Sequence, residues 1–545
     1  MSLPSRRAHV PVIVDQRGNP IMASAHDAGR QDISELASWY PPSYSADAEL
    51  LPDLETIRAR VHDFVRNNGM VNGAVQTQID NLVGSGLRLS AKPDWRYLGV
   101  TDPEVAARIE DQIESRFHMW AYDIDRYCDA ARQLTVGGMV AQAVRSSLIS
   151  FEALAVSKFL VRPGAKYSTA IQMIDPLRLS QPHGAPETER FKAGVESDPN
   201  GAPIAYHISN RVPSDPYRSM EGSLLSWQRV PRETPWGRRI VIHVYDQERP
   251  GQSRGKGGIV SVLARGRMVD RNERVHLQAA IQNASFATVI KSPMDWQSIG
   301  AALGAGDPLD SVIKYFAERA DWHKNATIRY GESRIPHLYP GEELDHVTAA
   351  HPHASFESFE RILHRYMAAG MNMTYEQFSR DYSQTNYSGH RAALLDYWRF
   401  ITGRRCVIAG EFATQVYALW LEEAFDRDEI DLPSGVPGFL EAKCAWARCE
   451  WIGPGRGQID PLKEENALLV EDQLGATTQE EICSSKGRDW REVTIQRAQE
   501  ARFRKQIAAK YGVEESELKS SGPTRVQQPP DAPEDRPPQR QEQPA

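Results

Sequence analysis

The spacing of apolar residues predicts helices in the segment 54–148. Steps of three and four residues, typical of a helix with one buried face, separate Leu54, Ile57, Val61 and Phe64, and Val65 widens the same stripe. A longer helix is predicted to begin at Asp102 and Pro103, because aspartate caps a helix and proline fits its first turn. Its apolar stripe continues through Val105, Ile109, Ile113, Phe117, Trp120, Ile124, Tyr127, Ala131 and Leu134.

Short strand-like runs replace this spacing between about residues 159 and 245. They lie at 158–161, 171–174 and 239–245. A β-hairpin is predicted over 194–208, because two alternating runs flank the sequence Asp-Pro-Asn-Gly at 198–201. Proline fixes φ in such a turn, and glycine accepts a positive φ.

Helical spacing returns after residue 258. Helices are predicted at 309–320, at 356–367 and, as a long aromatic helix, at about 388–425. A capping box from Thr374 to Gln377 predicts a further helical turn, and Gly403 and Gly410 predict bends in the aromatic helix. The elements together predict an α+β fold that is mainly helical.

The two ends of the chain differ from the rest. Residues 1–50 are rich in Pro, Ser, Ala and Gly and are predicted to form a largely irregular arm. Residues 520–545 consist mainly of Pro, Gln, Glu and Arg, and this composition predicts a disordered tail.

Composition narrows the function classes. The chain has 545 residues, 41% of them apolar, with 64 basic and 72 acidic side chains and a formal charge of −8. A mildly acidic protein does not coat nucleic acid by bulk positive charge. The sequence contains neither a signal peptide nor an apolar run of the roughly 18 residues that a membrane span needs, so no membrane contact is predicted. The five cysteines indicate a reducing compartment.

The sequence offers no clear catalytic or cofactor site. Residues 250–257 resemble a phosphate-binding loop, but the glycine spacing is too short and glycine follows Lys256, so a simple tight loop is predicted. The glycine-rich stretch 453–457 is a weak nucleotide signal, because it contains a proline and no helical pattern follows it. We predict no catalytic residue, no cofactor and no metal.

The candidate metal ligands are better explained as structural residues. Cys444 and Cys449 lack a second pair of ligands and are predicted to be ordinary thiols. His351 and His353 flank a proline and are predicted to lie in a connecting loop. Two carboxylate pairs are predicted to lie on different faces of helices, namely Asp123 with Asp125 and Asp426 with Asp428.

The distribution of basic residues says more about function than the candidate metal ligands do. The segment 486–510 contains eight Lys or Arg and three Asp or Glu, a local charge of +5. Its candidate contact residues are Arg497, Arg502, Arg504 and Lys505. They predict either a helix that binds a partner or nucleic acid, or a solvated helix of an oligomer. A second, looser set comprises Lys314, Arg319, Lys324, Arg329 and Arg334.

Several short motifs follow one another in order along the chain. The motifs are RNNG at 66–69, DNLVGSGLRLS at 80–90, PDWRYLG at 93–99, IDPLRL at 174–179, RPGQSRG at 249–255, LYPGE at 338–342 and YEQFSRDYSQTNYSGHR at 375–391. Each is unremarkable alone, but together they cover about residues 50–500, and the ordered set resembles the lambda family of phage portal proteins. The arm and the tail lie outside the resemblance.

The resemblance implies a portal-like protomer with a wing, a helical stem, a mixed α/β clip and a helical crown. The implied division is an arm at 1–50, a helical wing part at 51–157, a strand-rich clip region at 158–250, stem helices and a channel loop at 251–336, a wing return at 337–430, a crown-like region at 431–519 and a tail at 520–545. A DNA-facing loop would then fall within 290–336, where the second basic set lies.

The resemblance also implies a structural role. Such proteins form a ring, usually of twelve copies, at one capsid vertex, and double-stranded DNA passes through the ring. The implied partners are further copies of the chain, double-stranded DNA, the terminase large subunit, the major capsid and scaffold proteins, and head–tail connector proteins. The implied location is the virion, after assembly in the host cytoplasm.

Two alternatives remain at this point. One is a metal-dependent phage nuclease that gathers carboxylates from distant segments such as Asp123 and Asp428. The other is a different capsid or head-completion protein. The aromatic residues Trp398, Phe412 and Trp420 fit either a subunit interface or the protomer core, and the core is the prediction.

Overall fold

The computed structural model describes residues 26, 28, 34–36, 38–215, 225–285, 289–291, 308–325, 327–330, 333–336, 343–345, 356–383, 386–457 and 460–518. Its helices are α1 (Ala46–Asn67), α2 (Gly69–Leu82), α3 (Trp95–Leu98), α4 (Pro103–Ala121), α5 (Val136–Ile149), α6 (Val260–Ser285), α7 (Pro308–Asn325), α8 (Phe356–Gly370), α9 (Tyr375–Ser379), α10 (Tyr387–Arg404), α11 (Glu411–Asp426), α12 (Lys443–Trp446), α13 (Pro461–Gln473), α14 (Gln479–Ser485) and α15 (Trp490–Tyr511). The fold is α+β and mainly helical, as predicted.

The strands are short and form five separate small sheets in the described part of the chain. They are β1 (Arg88–Ala91), β2 (Ala153–Phe159), β3 (Thr169–Ile174), β4 (Phe191–Lys192), β5 (Val195–Ser197), β6 (Pro203–Ser209), β7 (Trp227–Pro231), β8 (Val241–Val244), β9 (Val289–Lys291), β10 (Thr327–Tyr330), β11 (Ser333–Pro336), β12 (Glu343–Asp345) and β13 (Cys449–Ile452). No described helix has the length and apolar character that crossing a membrane requires.

The first helix follows the predicted apolar stripe but begins earlier than expected. Ser45 caps α1 by accepting a hydrogen bond from the backbone N–H of Ala48. Residues 46–50 are therefore helical, and the prediction of an irregular arm is wrong for them. Most of the remaining arm, and the tail at 520–545, lie outside the described residues.

Helix α4 begins at the predicted residue but is shorter than predicted. The Asp102 carboxylate accepts a hydrogen bond from the N–H of Glu104 at 2.9 Å, and Pro103 occupies the first turn. The helix ends at Ala121, so its predicted continuation to Leu134 is wrong. Ile124, placed in the stripe by its spacing, is 93% exposed.

The side chain of Asp129 stabilises turns in the second half of the segment beyond Ala121, where the helix was predicted to continue. This buried carboxylate accepts hydrogen bonds from the N–H groups of Ala131, Gln133 and Leu134 at 2.8–2.9 Å. It thereby satisfies donors that helix carbonyls would otherwise bind. The segment is a series of turns, in which Arg132 has a φ of 56°.

Two antiparallel sheets form the strand-rich region. One has the order β3-β2-β8, and the other has the order β4-β5-β6-β7. The predicted hairpin is confirmed as β5 and β6, with Gly201 at a φ of 88° in the turn. The predicted run at 158–161 overlaps only the end of β2, which begins at Ala153.

The predicted aromatic helix is a continuous helical stretch with one irregular turn. Helices α10 and α11 are joined by a π-helical turn, Arg405–Gly410. Gly403 belongs to the last regular turn of α10, so the irregularity begins after it rather than at it. The side chain of Arg405 donates to the carbonyl oxygens of Leu82 and Asn81 at 3.0 and 2.8 Å, which holds this turn against the end of α2.

The main hydrophobic core lies where α2, α4, α5 and α11 pack together with the β3-β2-β8 sheet. The Phe117 ring packs edge-on against Tyr417 and Trp420, with centroid separations of 5.5 and 5.3 Å. Phe412 and Trp420 are fully buried, and Trp398 is partly buried against the same core. The prediction that these aromatic residues belong to the protomer core is confirmed.

Candidate channel and assembly site

A buried charge cluster lies between the two sheets and the start of α6. Glu152 precedes β2 and is fully buried. Its carboxylate accepts hydrogen bonds from Arg254 Nε at 3.0 and 3.1 Å and from the Gly255 N–H at 3.2 Å. Arg58 Nη2 lies 2.7 Å away, and His243 Nε2 lies 3.1 Å away.

These contacts set the protonation state of the cluster. Burial alone would raise the pKa of Glu152, but the guanidinium groups of Arg254 and Arg58 and the hydrogen bond with His243 outweigh it. The net effect holds the Glu152 pKa well below its usual value. Burial also lowers the pKa of Arg58 to about 10 against the opposing attraction of Glu152. Glu152 is therefore an ionised, structural carboxylate.

The failed phosphate-loop motif is the segment that supplies Arg254. Arg254 Nη1 donates to the carbonyl oxygens of Leu179 and Ala193, both at 2.8 Å. A side chain at Gly255 would place its Cβ 1.9 Å from the Phe151 carbonyl oxygen, so only glycine fits there. The loop fixes the chain directly before α6, and its glycines serve close packing.

Helix α6 leaves this anchor and becomes progressively exposed. Val262 and Val269 are buried, and a Cβ at Gly266 would lie 2.4 Å from Phe64, so the start of α6 packs closely on α1. Farther along, Leu277 and Ile281 are 64% and 57% exposed. The second half of the helix therefore presents apolar side chains to the surroundings of the protomer.

The structure does not gather the predicted channel cations on one face. Lys314 and Lys324 are exposed on α7, and Arg319 between them is half-buried. Residues five apart on an α-helix are rotated by about 140°, so the three cations point in different directions. Arg329 on β10 and Arg334 on β11 are direct cross-strand partners.

The predicted basic helix is α15. Its first turns are attached to the protomer by ion pairs of Arg491 with Glu110 and of Glu492 with Arg88. The candidate contact residues lie in the exposed part that follows. Arg497, Arg502 and Lys505 are exposed, and Arg504 is half-buried, 3.6 Å from Glu500.

The remaining candidate ligands do not form the sites that they suggested. Asp123, Asp125 and Asp428 lie in turns, so their predicted placement on helices is wrong; Asp426 is the last residue of α11.

Cys449 lies on β13 with its sulfur 3.7 Å from the Thr414 hydroxyl, and Cys444 is exposed on α12. Gly453, in the second glycine-rich stretch, lies against the Arg405 side chain. His351 and His353 lie outside the described residues.

Two features of the structure were not predicted. Helix α8 has a second, exposed apolar face formed by Phe359, Ile362 and Tyr366. The signal was present in the sequence as spacing of three and four residues, but spacing alone does not distinguish a buried face from an exposed one. The structure also brings together Glu273 of α6 with Glu360 and His364 of α8.

Known proteins resemble this chain over most of its length. A family model described as phage portal protein, lambda family, matches residues 33–405. Portal protein B of Escherichia phage lambda is 35% identical over 492 residues, covering 90% of this chain and 91% of that protein. The portal protein of Escherichia phage N15 is 35% identical over 503 residues, covering 91% and 94%. A solved chain from the neck of an empty GTA particle has a TM-score of 0.41 at 12% identity and covers 84% of this chain and 98% of its own.

These matches decide between the functional predictions. The family model covers more than half of the chain, and the two curated relatives are similar to it almost from end to end. The prediction of a portal protein, which is a structural protein and not an enzyme, is confirmed, and the nuclease alternative has no support. This chain belongs to the lambda family of phage portal proteins.

Proposed function

We propose that copies of this chain close into a ring, of twelve subunits as is usual in the family, at one vertex of a phage capsid. Double-stranded DNA passes through the ring during packaging and ejection. The ring assembles in the host cytoplasm with the major capsid and scaffold proteins and becomes part of the virion. The terminase large subunit docks on it and supplies the energy, and head–tail connector proteins bind it later.

The observation that supports ring formation is the exposed apolar face of α8. Phe359, Ile362 and Tyr366 are 52%, 61% and 41% exposed, and steps of three and four residues place them on one side of the helix. Ile313 and Phe316 repeat the pattern on α7, at 58% and 52% exposure. Apolar faces of this kind mark protein–protein contacts, and a closed ring covers them by repeating one contact in every subunit.

The proposed regions of the protomer follow the order of elements. Residues 51–157 and 337–430 form the wing, 158–250 the clip and its approaches, 251–336 the stem with the channel loop, and 431–519 the crown. The rigid attachment of α6 through Gly266, followed by its exposed second half, supports its assignment to the stem.

The charge distribution suits a passage through which DNA slides. A densely basic wall would bind phosphates tightly, because each neutralised phosphate releases counterions. The cations of α7 are few and divergent, and Glu318 and Asp321 are exposed among them. A ring presents each cation many times, so sparse residues such as Lys314 supply weak contacts around the whole circumference.

The ring is tested by measuring the mass of the purified chain and imaging it. Twelve copies of the 61.2-kDa chain would give about 734 kDa, and electron microscopy would show a central hole. Replacing Phe359 and Ile362 with Glu is expected to shift the protein to smaller species, because two charges would be buried in the contact.

The matched control is Glu357→Gln, a change on the opposite side of α8, where Glu357 pairs with Arg361. This variant is expected to keep the mass of the unmodified protein. A protein that stays monomeric at high concentration and near-physiological salt, before any substitution, would contradict the ring. Equal masses for the Phe359 and Ile362 double variant and the unmodified chain would contradict the role given to α8.

A further inference from the structure

Three side chains with metal-binding groups meet where α6 packs against α8. Glu273 comes from α6, and Glu360 and His364 come from α8. One ligand atom of each, a carboxylate oxygen or an imidazole nitrogen, lies within 4.8 Å of both others. The three residues belong to none of the channel or basic-helix surfaces described above.

The local structure of α8 explains the convergence. Glu360 and His364 are four residues apart, so they lie one above the other on the same face of the helix. That face is turned toward α6, and His364 is only 8% exposed. The imidazole is thus held inside the helix–helix contact, while Phe359 and Ile362 occupy a different face and remain exposed.

The two carboxylates meet each other instead of being separated by arginines. A carboxylate oxygen of Glu273 and one of Glu360 lie within 4.8 Å of each other. Five of the six arginines on α6 and α8 contact other groups. Arg267 and Arg274 contact Asp270, Arg361 contacts Glu357, Arg265 lies over the Tyr366 ring, and Arg365 lies over the Tyr375 ring.

The separation of the groups suits a shared ion better than a direct contact. His364 Nε2 lies 3.4 Å from Glu273 Oε1, whereas a charge-assisted hydrogen bond is about 2.7–2.9 Å long. Two ligands that are each roughly 2.0–2.1 Å from a tetrahedral metal ion are about 3.4 Å apart. Small rotations of the glutamate side chains would bring all three ligand atoms to such distances.

We propose that Glu273, Glu360 and His364 bind a divalent transition-metal ion, with Zn²⁺ as the best match, and that the ion fastens α6 to α8. An imidazole with two carboxylates is a ligand set for Zn²⁺, Mn²⁺ or Co²⁺, whereas Mg²⁺ and Ca²⁺ prefer oxygen ligands alone. Water completes the coordination. The ion neutralises the paired carboxylates and holds α6 at a point beyond Val269, which the protomer core buries.

The site is tested on the full-length chain, prepared without a histidine tag and freed of metal by a chelator. Titration with Co²⁺ is expected to produce visible absorption bands that saturate at one ion per chain, and Zn²⁺ is expected to displace the Co²⁺. Glu360→Gln, which keeps the size of the side chain, and His364→Ala are each expected to weaken binding by more than about tenfold, since even outer-sphere changes cost about 10–100-fold.

Asp270→Asn is the matched control, because Asp270 lies on α6 one turn before Glu273 and contacts two arginines instead. It is expected to bind Co²⁺ as the unmodified chain does. Melting curves recorded in chelator distinguish loss of the metal site from loss of the fold. Glu360→Gln is expected to have the melting temperature of the unmodified, metal-free chain. Addition of Zn²⁺ is expected to leave the melting temperature of this variant unchanged. Absence of saturable Co²⁺ bands, unchanged affinity in both variants, or equal stabilisation by Mg²⁺ would overturn the proposal.

Discussion

Arg254 and Glu152 are 102 residues apart in the chain and form a two-point contact in which Arg254 Nε donates to both carboxylate oxygens. Their exposed fractions are 1% and 0%. Arg58 and His243 approach the same carboxylate, so one glutamate balances groups that come from α1, from β8 and from the loop before α6. Helix α6 therefore begins from a position that a single buried carboxylate fixes.

Removal of that charge is expected to destabilise the protomer strongly. In Glu152→Gln, two guanidinium groups would stay buried without a carboxylate, and breaking a buried pair of this kind costs about 3–5 kcal/mol. The loss should appear as a lower midpoint in chemical unfolding, measured at one fixed protein concentration because assembly adds to apparent stability.

The control for this prediction is a similar trio at the surface. Glu196 contacts Arg229 and His207 just as Glu152 contacts Arg254 and His243, but the Arg229 side chain is 52% exposed. Glu196→Gln should cost no more than about 1 kcal/mol, because solvent screens exposed pairs. Equal losses for the two variants would show that burial does not set the strength of the Glu152 cluster.

A second carboxylate, that of Glu114, should make the folded chain less stable as the pH rises. Glu114 accepts a hydrogen bond from the Ala91 N–H at 2.7 Å, but burial raises its pKa to about 7. A raised carboxyl pKa means that the folded state binds the proton more tightly than the unfolded state. This contribution to stability is complete below about pH 4.5, falls as the pH rises toward 7, and stays lost above that.

The substitution Glu114→Gln should remove this penalty. The amide keeps an oxygen for the Ala91 N–H but carries no charge, so the variant should melt at a higher temperature than the unmodified chain at pH 8 and at nearly the same temperature at pH 4.5. The control is Glu450→Gln, because Glu450 is exposed on β13, the strand that pairs with the β1 strand of Ala91. This substitution should leave the dependence of the melting temperature on pH unchanged. A constant difference between Glu114→Gln and the unmodified chain across this pH range would contradict the assignment.

The loop before α6 should tolerate no side chain at one of its glycines. Gly255→Ala would place a Cβ 1.9 Å from the Phe151 carbonyl oxygen, so the backbone around Glu152 must move. Overpacking of this kind costs about 1–3 kcal/mol or more.

The expected result for Gly255→Ala is a clearly lower melting temperature. Gly258→Ala is the matched comparison, because its Cβ would meet only the Gly370 carbonyl oxygen at 3.6 Å, an ordinary contact. Similar melting of the two variants would contradict the close packing of the loop.

The cations of α7 should affect DNA and not assembly. Replacing Lys314 and Arg319 with Glu adds repulsion toward phosphates at every position of the proposed ring, so less DNA should be packaged or retained. The mass of the assembled protein should not change. Arg66→Glu on α1, where the Arg66 side chain is 71% exposed, serves as a control for a general charge effect. Normal DNA content in particles that carry the double substitution would refute a DNA-facing position for α7.

The starts of three elements could be predicted because local signals decide them. Asp102 and Pro103 begin α4, the capping box at Thr374 begins α9, and the turn at 198–201 closes the predicted hairpin. Each signal acts over a few residues through hydrogen bonds or fixed φ angles, so no distant contact is needed to recognise it. The ordered family motifs were likewise readable without coordinates.

Contacts that the apolar spacing does not reveal decided the rest. The spacing continues past Ala121, where α4 ends, but the Asp129 carboxylate accepts hydrogen bonds from the N–H groups of Gln133 and Leu134 and so stabilises turns in place of a helix. The apolar stripe of α8 was visible, yet only the packing of α6 against one side of that helix shows which apolar residues stay exposed.

The sequence by itself determined the class of fold, the starts of a few elements and the portal family, because these depend on residues close together in the chain or on motifs in a fixed order. Only the tertiary structure decided that Glu152 joins Arg58, His243 and Arg254, and that Glu273 meets Glu360 and His364. A charged side chain is stabilised by partners within a few ångströms in space, and those partners are about 90–100 residues away along the chain in both groups. Spacing in the sequence carries no information on such separations.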